Sequence, residues 1–178
     1  MSRLHTVAPA EATGHAAKLF TAIKGAIGMV PNAFATIGSN SPVALEAALN
    51  LDAALGKSSL SAKQIEVIKL AVSAVAHCDY CLAAHTMIGK HAGLSRETIL
   101  AVRHGQPSGE TAIDALAAFV KILVSTSGTV PAAAVAAVKA AGYSDAQVID
   151  TLLAIASITF TNLVNRVNDT VLDFPAAD

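Results

Sequence analysis

The chain has 178 residues and a mass of 18.0 kDa, the size of one compact domain. Hydrophobic residues make up 53% and charged residues only 14%, against the usual ~25%, which excludes a disordered chain. A net charge of −1 excludes a nucleic-acid binder that works through a broad basic surface.

Alanine supplies about a fifth of the residues, aromatics 4%, and Trp is absent, a composition that favours helices packed closely through small side chains. In chain order, Ala16, Leu19, Phe20, Ile23 and Ile27 follow one helix face between Glu11 and Ile27. Gly28 to Asn32 breaks that pattern, and a short helix from Ala33 to Ile37 follows. Ser41-Pro42 predicts a cap and a first helical turn, with the helix running to Leu55 and stopping at Gly56. Ser61 and Gln64 have capping-box spacing, and the helix they open buries Ile65, Ile68, Val72 and Val75. The next helix spans Cys78 to Ala92. Ser95 caps a short one that stops before Gly105. Segments near 109–125 and 131–141 lead to a long last helix from Ser144 to about Asn168, with an extended tail at Leu172 to Pro175. Ser61 and Ser144 open similar apolar helices, an echo that capping alone explains. All-α is the expected class.

No export signal is expected at the start, and the greasiest stretch, Thr151 to Val164, falls short of the ~20 residues a bilayer needs. It also carries Ser157, Thr159, Thr161 and Asn162. A cytoplasmic protein is therefore expected, with no membrane or nucleic-acid partner. So few charges imply apolar surface buried between subunits, hence a homo-oligomer. In a reducing compartment a close Cys pair is catalytic or metal-binding rather than a staple.

Both cysteines fall in His77-Cys78-Asp79-Tyr80-Cys81-Leu82-Ala83-Ala84-His85. On a helix Cys81 and His85 share a face, and Cys78 and Cys81 are neighbours able to close a disulfide. A helix start at Cys78 favours its thiolate. Glu66 lies twelve residues before Cys78, about 18 Å along one unbroken helix. It reaches the motif only if the chain turns near His77 or if another subunit supplies it. Between Lys63 and Lys69, Glu66 reads by spacing alone as a surface ion-pair residue, and the other histidines read as structural or solvent-facing. Zinc is the competing reading: Cys78, Cys81, His85 and His91 come from one segment, which does not readily enclose a tetrahedral ion, and a Cys/Cys/His set completed by Glu66 is the variant to weigh. No metal or other cofactor is expected. A c-type haem motif, a Walker loop, GxGxxG, HExxH and GxSxG are all missing.

Glu66, Cys78, Cys81 and His85 fit a pattern of Glu, eleven residues, then C-x-x-C-x-x-x-H, in which the chain resembles the AhpD-like alkylhydroperoxidases of the carboxymuconolactone decarboxylase superfamily. Softer matches to the family extend through Val30-Pro31-Asn32, Ser41-Pro42 and Leu60-Ser61, and the ending, Asn165-Arg166 to Asp173-Phe174-Pro175, resembles the peroxidase-related subgroup in particular. The resemblance implies one AhpD-like helical domain over residues 1–178, with the redox core at about 60–106, assembled as a trimer or hexamer. It implies thiol-dependent reduction of alkyl or hydrogen peroxides, with an external dithiol, thioredoxin-like or lipoyl donor. Glu66 would orient His85, and His85 would activate Cys81 through water. Cys81 is expected to attack and Cys78 to resolve, the reverse order staying open. Tyr80 stands where well-studied members have a second histidine and is a secondary candidate, as is His77, which directly precedes Cys78. Rival readings are a redox-sensing or protein-disulfide-exchange oligomer and a carboxymuconolactone decarboxylase-type enzyme.

Overall fold

The computed structural model describes residues 2–177, which among them form nine α-helices and no strand. They are α1 (Gly14–Ile27), α2 (Asn32–Asn40), α3 (Pro42–Leu55), α4 (Ala62–Val75), α5 (Asp79–His91), α6 (Arg96–His104), α7 (Thr111–Ser125), α8 (Ala132–Ala140) and α9 (Asp145–Asn168). Most ends lie where the cap chemistry predicts. Ser41 Oγ accepts from the Ala44 N–H, and Ser61 and Ser144 each close a full capping box.

α4 is the hub, with α5, α6, α7 and α9 packed around it. Its residues from Glu66 to Ser73 are all buried, so this helix is covered on every side rather than amphipathic. A second, smaller core joins α1, α2 and α3 through Phe20, Ile23, Ile37 and Leu45. The approach there is close: a Cβ on Gly38 would sit 2.5 Å from the Phe20 ring and 2.8 Å from Leu45. Phe160 and Val164 of α9 pack on the same cluster.

By length and composition α9 could cross a membrane, since the whole helix of 24 residues exceeds the greasy stretch at 151–164. In the fold it packs on α2, α3, α4, α5 and α7, with Ser157, Asn162, Asn165 and Asn168 buried.

The turn between α4 and α5 decides the site. His77 takes a left-handed φ of 50°, its N–H donates to the Ala74 carbonyl, and the Cys78 N–H donates to the Ser73 carbonyl at 3.1 Å. That pair of bonds is a Schellman stop, here with His77 in the place glycine usually takes. The chain reverses, and α5 runs back along α4.

Candidate redox site

The reversal brings Glu66 on α4 to His85 on α5. Glu66 Oε2 and His85 Nδ1 lie 2.7 Å apart, both side chains buried. Glu66 is only 6% exposed, so the surface ion pair expected from its flanking lysines does not form. Lys69 turns instead to Asp52 of α3, at 2.9 Å, and Ser157 of α9 donates to the same carboxylate oxygen. A carboxylate on Nδ1 leaves Nε2 as the imidazole atom available to other partners.

Cys78 is the N-cap of α5 and Cys81 lies in its first turn. Both are free thiols, each 2% exposed, so neither is more exposed than the other. Their surroundings differ. The Cys81 thiol beside it holds the Cys78 thiol below its ordinary value, with help from the Cys81 backbone N–H and the Arg166 guanidinium, against burial and Asp79. Cys81 is pushed well above its ordinary value, first by its hydrogen bond to Cys78, then by burial and by the Cys78 charge. Asn165 works the other way, donating from Nδ2 to Cys81 Sγ at 3.3 Å.

These directions give a pH prediction. A depressed pKa keeps the thiolate at lower pH, so Cys78 labelling is lost only as pH falls through a midpoint below the ~8.5 of a free cysteine. Cys81, raised, should label only at a midpoint above it. Iodoacetamide labelling across pH, with the label assigned to Cys78 or Cys81 by fragment-ion mass spectrometry of the one peptide that carries both, checks both midpoints; equal midpoints would contradict the assignment.

Cys81, but not Cys78, lines a cavity of about 420 Å³ together with Glu66, His85, Thr161 and Asn165. The apolar wall is Met29, Phe34, Met87, Ile158 and Phe174, with Ile27 and Ile88 at the exposed rim. Ala33 and Ala84 contribute, but the bulk comes from Ile, Met and Phe side chains, most of them far from the Cys-Cys-His motif in sequence. Among the described residues no three His, Cys, Asp or Glu side chains converge as a metal-binding set.

Of the secondary candidates, His77 is exposed in the turn and outside the cavity lining. Tyr80 lines the cavity as a strut. Its hydroxyl accepts the Ala33 N–H at 3.2 Å, and its ring meets Phe174 edge-on at 5.5 Å. Burial, and then the Asp173 carboxylate against the pull of the Ala33 N–H, push the phenol further above neutrality. It stays a neutral group.

Three of the soft matches, at residues 30–32, 165–166 and 173–175, converge here, whereas those at 41–42 and 60–61 open helices α3 and α4. The Asn32 N–H donates to Asp173 Oδ2 at 2.7 Å and its side chain to the Val171 carbonyl, so the tail is strapped across α2 with Phe174 against Tyr80. Arg166 donates to the Ala76 carbonyl at the end of α4. Sequence reasoning did not place Asp52, Lys69, Ser157 or Thr161 at the site. The polar positions 157, 161 and 165, spaced by four in an apolar helix, are the signal that marks a polar stripe.

Residues 42–121 match the carboxymuconolactone decarboxylase family model. The structure is similar to the uncharacterized peroxidase-related protein from Ralstonia eutropha JMP134, an alkylhydroperoxidase AhpD core, at TM-score 0.84 and 21% identity over 97% of this chain and 92% of that one. It is similar to the debrominase Bmp8, at TM-score 0.80 and 19% identity over 97% and 93%. A protein of unknown function from Agrobacterium tumefaciens, a putative antioxidant defence protein AhpD, is 25% identical over 75% of this chain and 93% of that one, at TM-score 0.69. No curated protein matches.

Proposed function

We propose that this chain, a carboxymuconolactone decarboxylase-family protein with the AhpD-like helical fold, is a thiol-dependent peroxidase that cycles Cys78 and Cys81 between dithiol and disulfide. The observation that carries the reading is the buried Glu66–His85 pair on the cavity that Cys81 lines. Fold likeness alone does not choose a reaction, since the same architecture serves a debrominase.

In this reading the hydroperoxide enters the apolar cavity and meets Cys81. His85, oriented by Glu66, draws the Cys81 proton as the sulfur attacks the terminal peroxide oxygen, then delivers it to the departing oxygen. The first step is Cys81–SH + ROOH → Cys81–SOH + ROH. Attack and proton loss occur together, so two adjacent thiolates do not accumulate. Cys78, the more acidic thiol, then attacks the sulfenic sulfur; the disulfide forms and hydroxide leaves as water with a solvent proton. An external dithiol, thioredoxin-like or lipoyl, restores both thiols and leaves as its own disulfide. The reading calls for no cofactor beyond that external dithiol.

The reading includes a cytoplasmic homo-oligomer, a trimer or hexamer. Ile149, Leu152, Leu163 and Val167, exposed along one face of α9, support assembly.

Hydroperoxide consumption by the reduced protein with excess dithiol tests the proposal. Many turnovers per subunit are expected. A disulfide formed once and no turnover would favour redox sensing or disulfide exchange instead.

A further inference from the structure

Asn165 lies outside the Glu, Cys-Cys and His pattern. It is 4% exposed on α9 and lines the cavity beside Cys81. One half of its amide is used: Nδ2 donates to Cys81 Sγ. The other half is not. Asn165 Oδ1 is buried and has no hydrogen-bond partner among the described residues. Buried amide oxygens are almost always satisfied, and leaving one unpaired costs stability, so an orphan acceptor at a reactive thiol calls for a ligand.

The ligand's position follows from covalent geometry. C=O and C–N lengths of about 1.23 and 1.33 Å put the two ends of the amide roughly 2.3 Å apart. A donor held by Oδ1 while Nδ2 holds the sulfur therefore stands next to the sulfur. A hydroperoxide has one donor, the O–H on its terminal oxygen, and that oxygen is the one a thiolate attacks.

We propose that Asn165 is a further catalytic residue, whose Nδ2–H holds Cys81 Sγ while its Oδ1 accepts the O–H of the hydroperoxide and sets the terminal oxygen against the sulfur. The inference rests on the peroxidase reading. In the step Cys81–SH + ROOH → Cys81–SOH + ROH, Asn165 gains and loses no atoms: the O–O bond breaks, the S–O bond forms, and the proton Oδ1 held stays on the transferred oxygen. The same clamp then fits the sulfenic acid, with Nδ2–H on the sulfur and Oδ1 on the S–O–H proton. The leaving oxygen takes its proton from His85. The clamp selects hydroperoxides, which carry that O–H, over dialkyl peroxides, which do not.

The test compares two reactions of Cys81 in the Cys78→Ser protein, where a sulfenic acid persists and can be trapped. One is sulfenylation by tert-butyl hydroperoxide. The other is alkylation by iodoacetamide, which needs the thiolate but not Oδ1. Asn165→Ala in that protein is expected to slow sulfenylation on the order of 10²-fold, the loss seen when one preorganised hydrogen-bonding group at a reacting centre is removed. Alkylation should fall less than tenfold, with its pH midpoint raised because the donor to sulfur is gone. Should Asn165→Ala fail to fold, the near-isosteric Asn165→Leu, which lacks both the Nδ2 donor and the Oδ1 acceptor, carries the same test. Equal losses in the two reactions would overturn the role of Oδ1, and unchanged rates in both would reduce Asn165 to packing. Failure of the parent Cys78→Ser protein to form any sulfenic acid would overturn this inference, while absence of hydroperoxide turnover by the unsubstituted protein with excess dithiol would overturn the peroxidase reading itself.

Discussion

Cys81→Ser is expected to abolish catalytic hydroperoxide reduction, with a loss of roughly 10³-fold or more. Cys81 is the thiol that faces the cavity, and a hydroxyl in its place cannot be oxidised to a sulfenic acid or close a disulfide. Cys78→Ser should behave differently. It keeps the attacking sulfur, so it consumes about one equivalent of hydroperoxide and then stops with Cys81 oxidised. Rapid-mixing measurement of peroxide loss, with the added oxygen located by mass spectrometry, separates the two. A first equivalent consumed by Cys81→Ser but not by Cys78→Ser would reverse the roles.

The second large effect is at Glu66. Glu66→Gln keeps the shape of a buried side chain and removes the charge that faces His85 Nδ1 at 2.7 Å. An amide can present its NH₂ to Nδ1 and force the proton onto Nε2, which turns the cavity side of the imidazole from acceptor to donor. A loss of on the order of 10²-fold in kcat/KM is expected, in the range of general acid–base catalysis by a positioned side chain. His85→Ala should lose at least as much. Because the pair acts as a unit, Glu66→Gln combined with His85→Ala should be no slower than His85→Ala alone. Additive losses in that double-mutant cycle would mean that Glu66 contributes by a route other than His85.

Local chemistry made much of the fold legible. Ser41, Ser61, Ser95 and Ser144 each accept an N–H in the first turn of the helix they open, and glycines close several others. Such ends are written in a few adjacent residues, so a sequence displays them. The turn at His77 was legible for another reason: without it Glu66 and the Cys-Cys-His segment stand too far apart to act together. Its form was not legible, because no glycine marks it and His77 itself takes the left-handed conformation.

What the sequence by itself determined was the helical class, the boundaries that caps and breakers impose, and Cys78, Cys81 and His85 as one candidate group, which the family resemblance extended to Glu66. These depend on separations of a few residues, or on one reversal of the chain. Only the tertiary structure decided that Glu66 is buried rather than paired with a neighbouring lysine, that Cys81 and not Cys78 lines the cavity, and that Met29, Phe34 and Phe174 wall it. It alone brought Asn32 to Asp173 and Asn165 to Cys81, across 141 and 84 positions of chain. Contacts at that separation are fixed by how whole helices pack around α4, and side-chain burial follows from the packing. The acidity of each thiol follows in turn, because it depends on which neighbours and how much solvent the packed helices leave beside it.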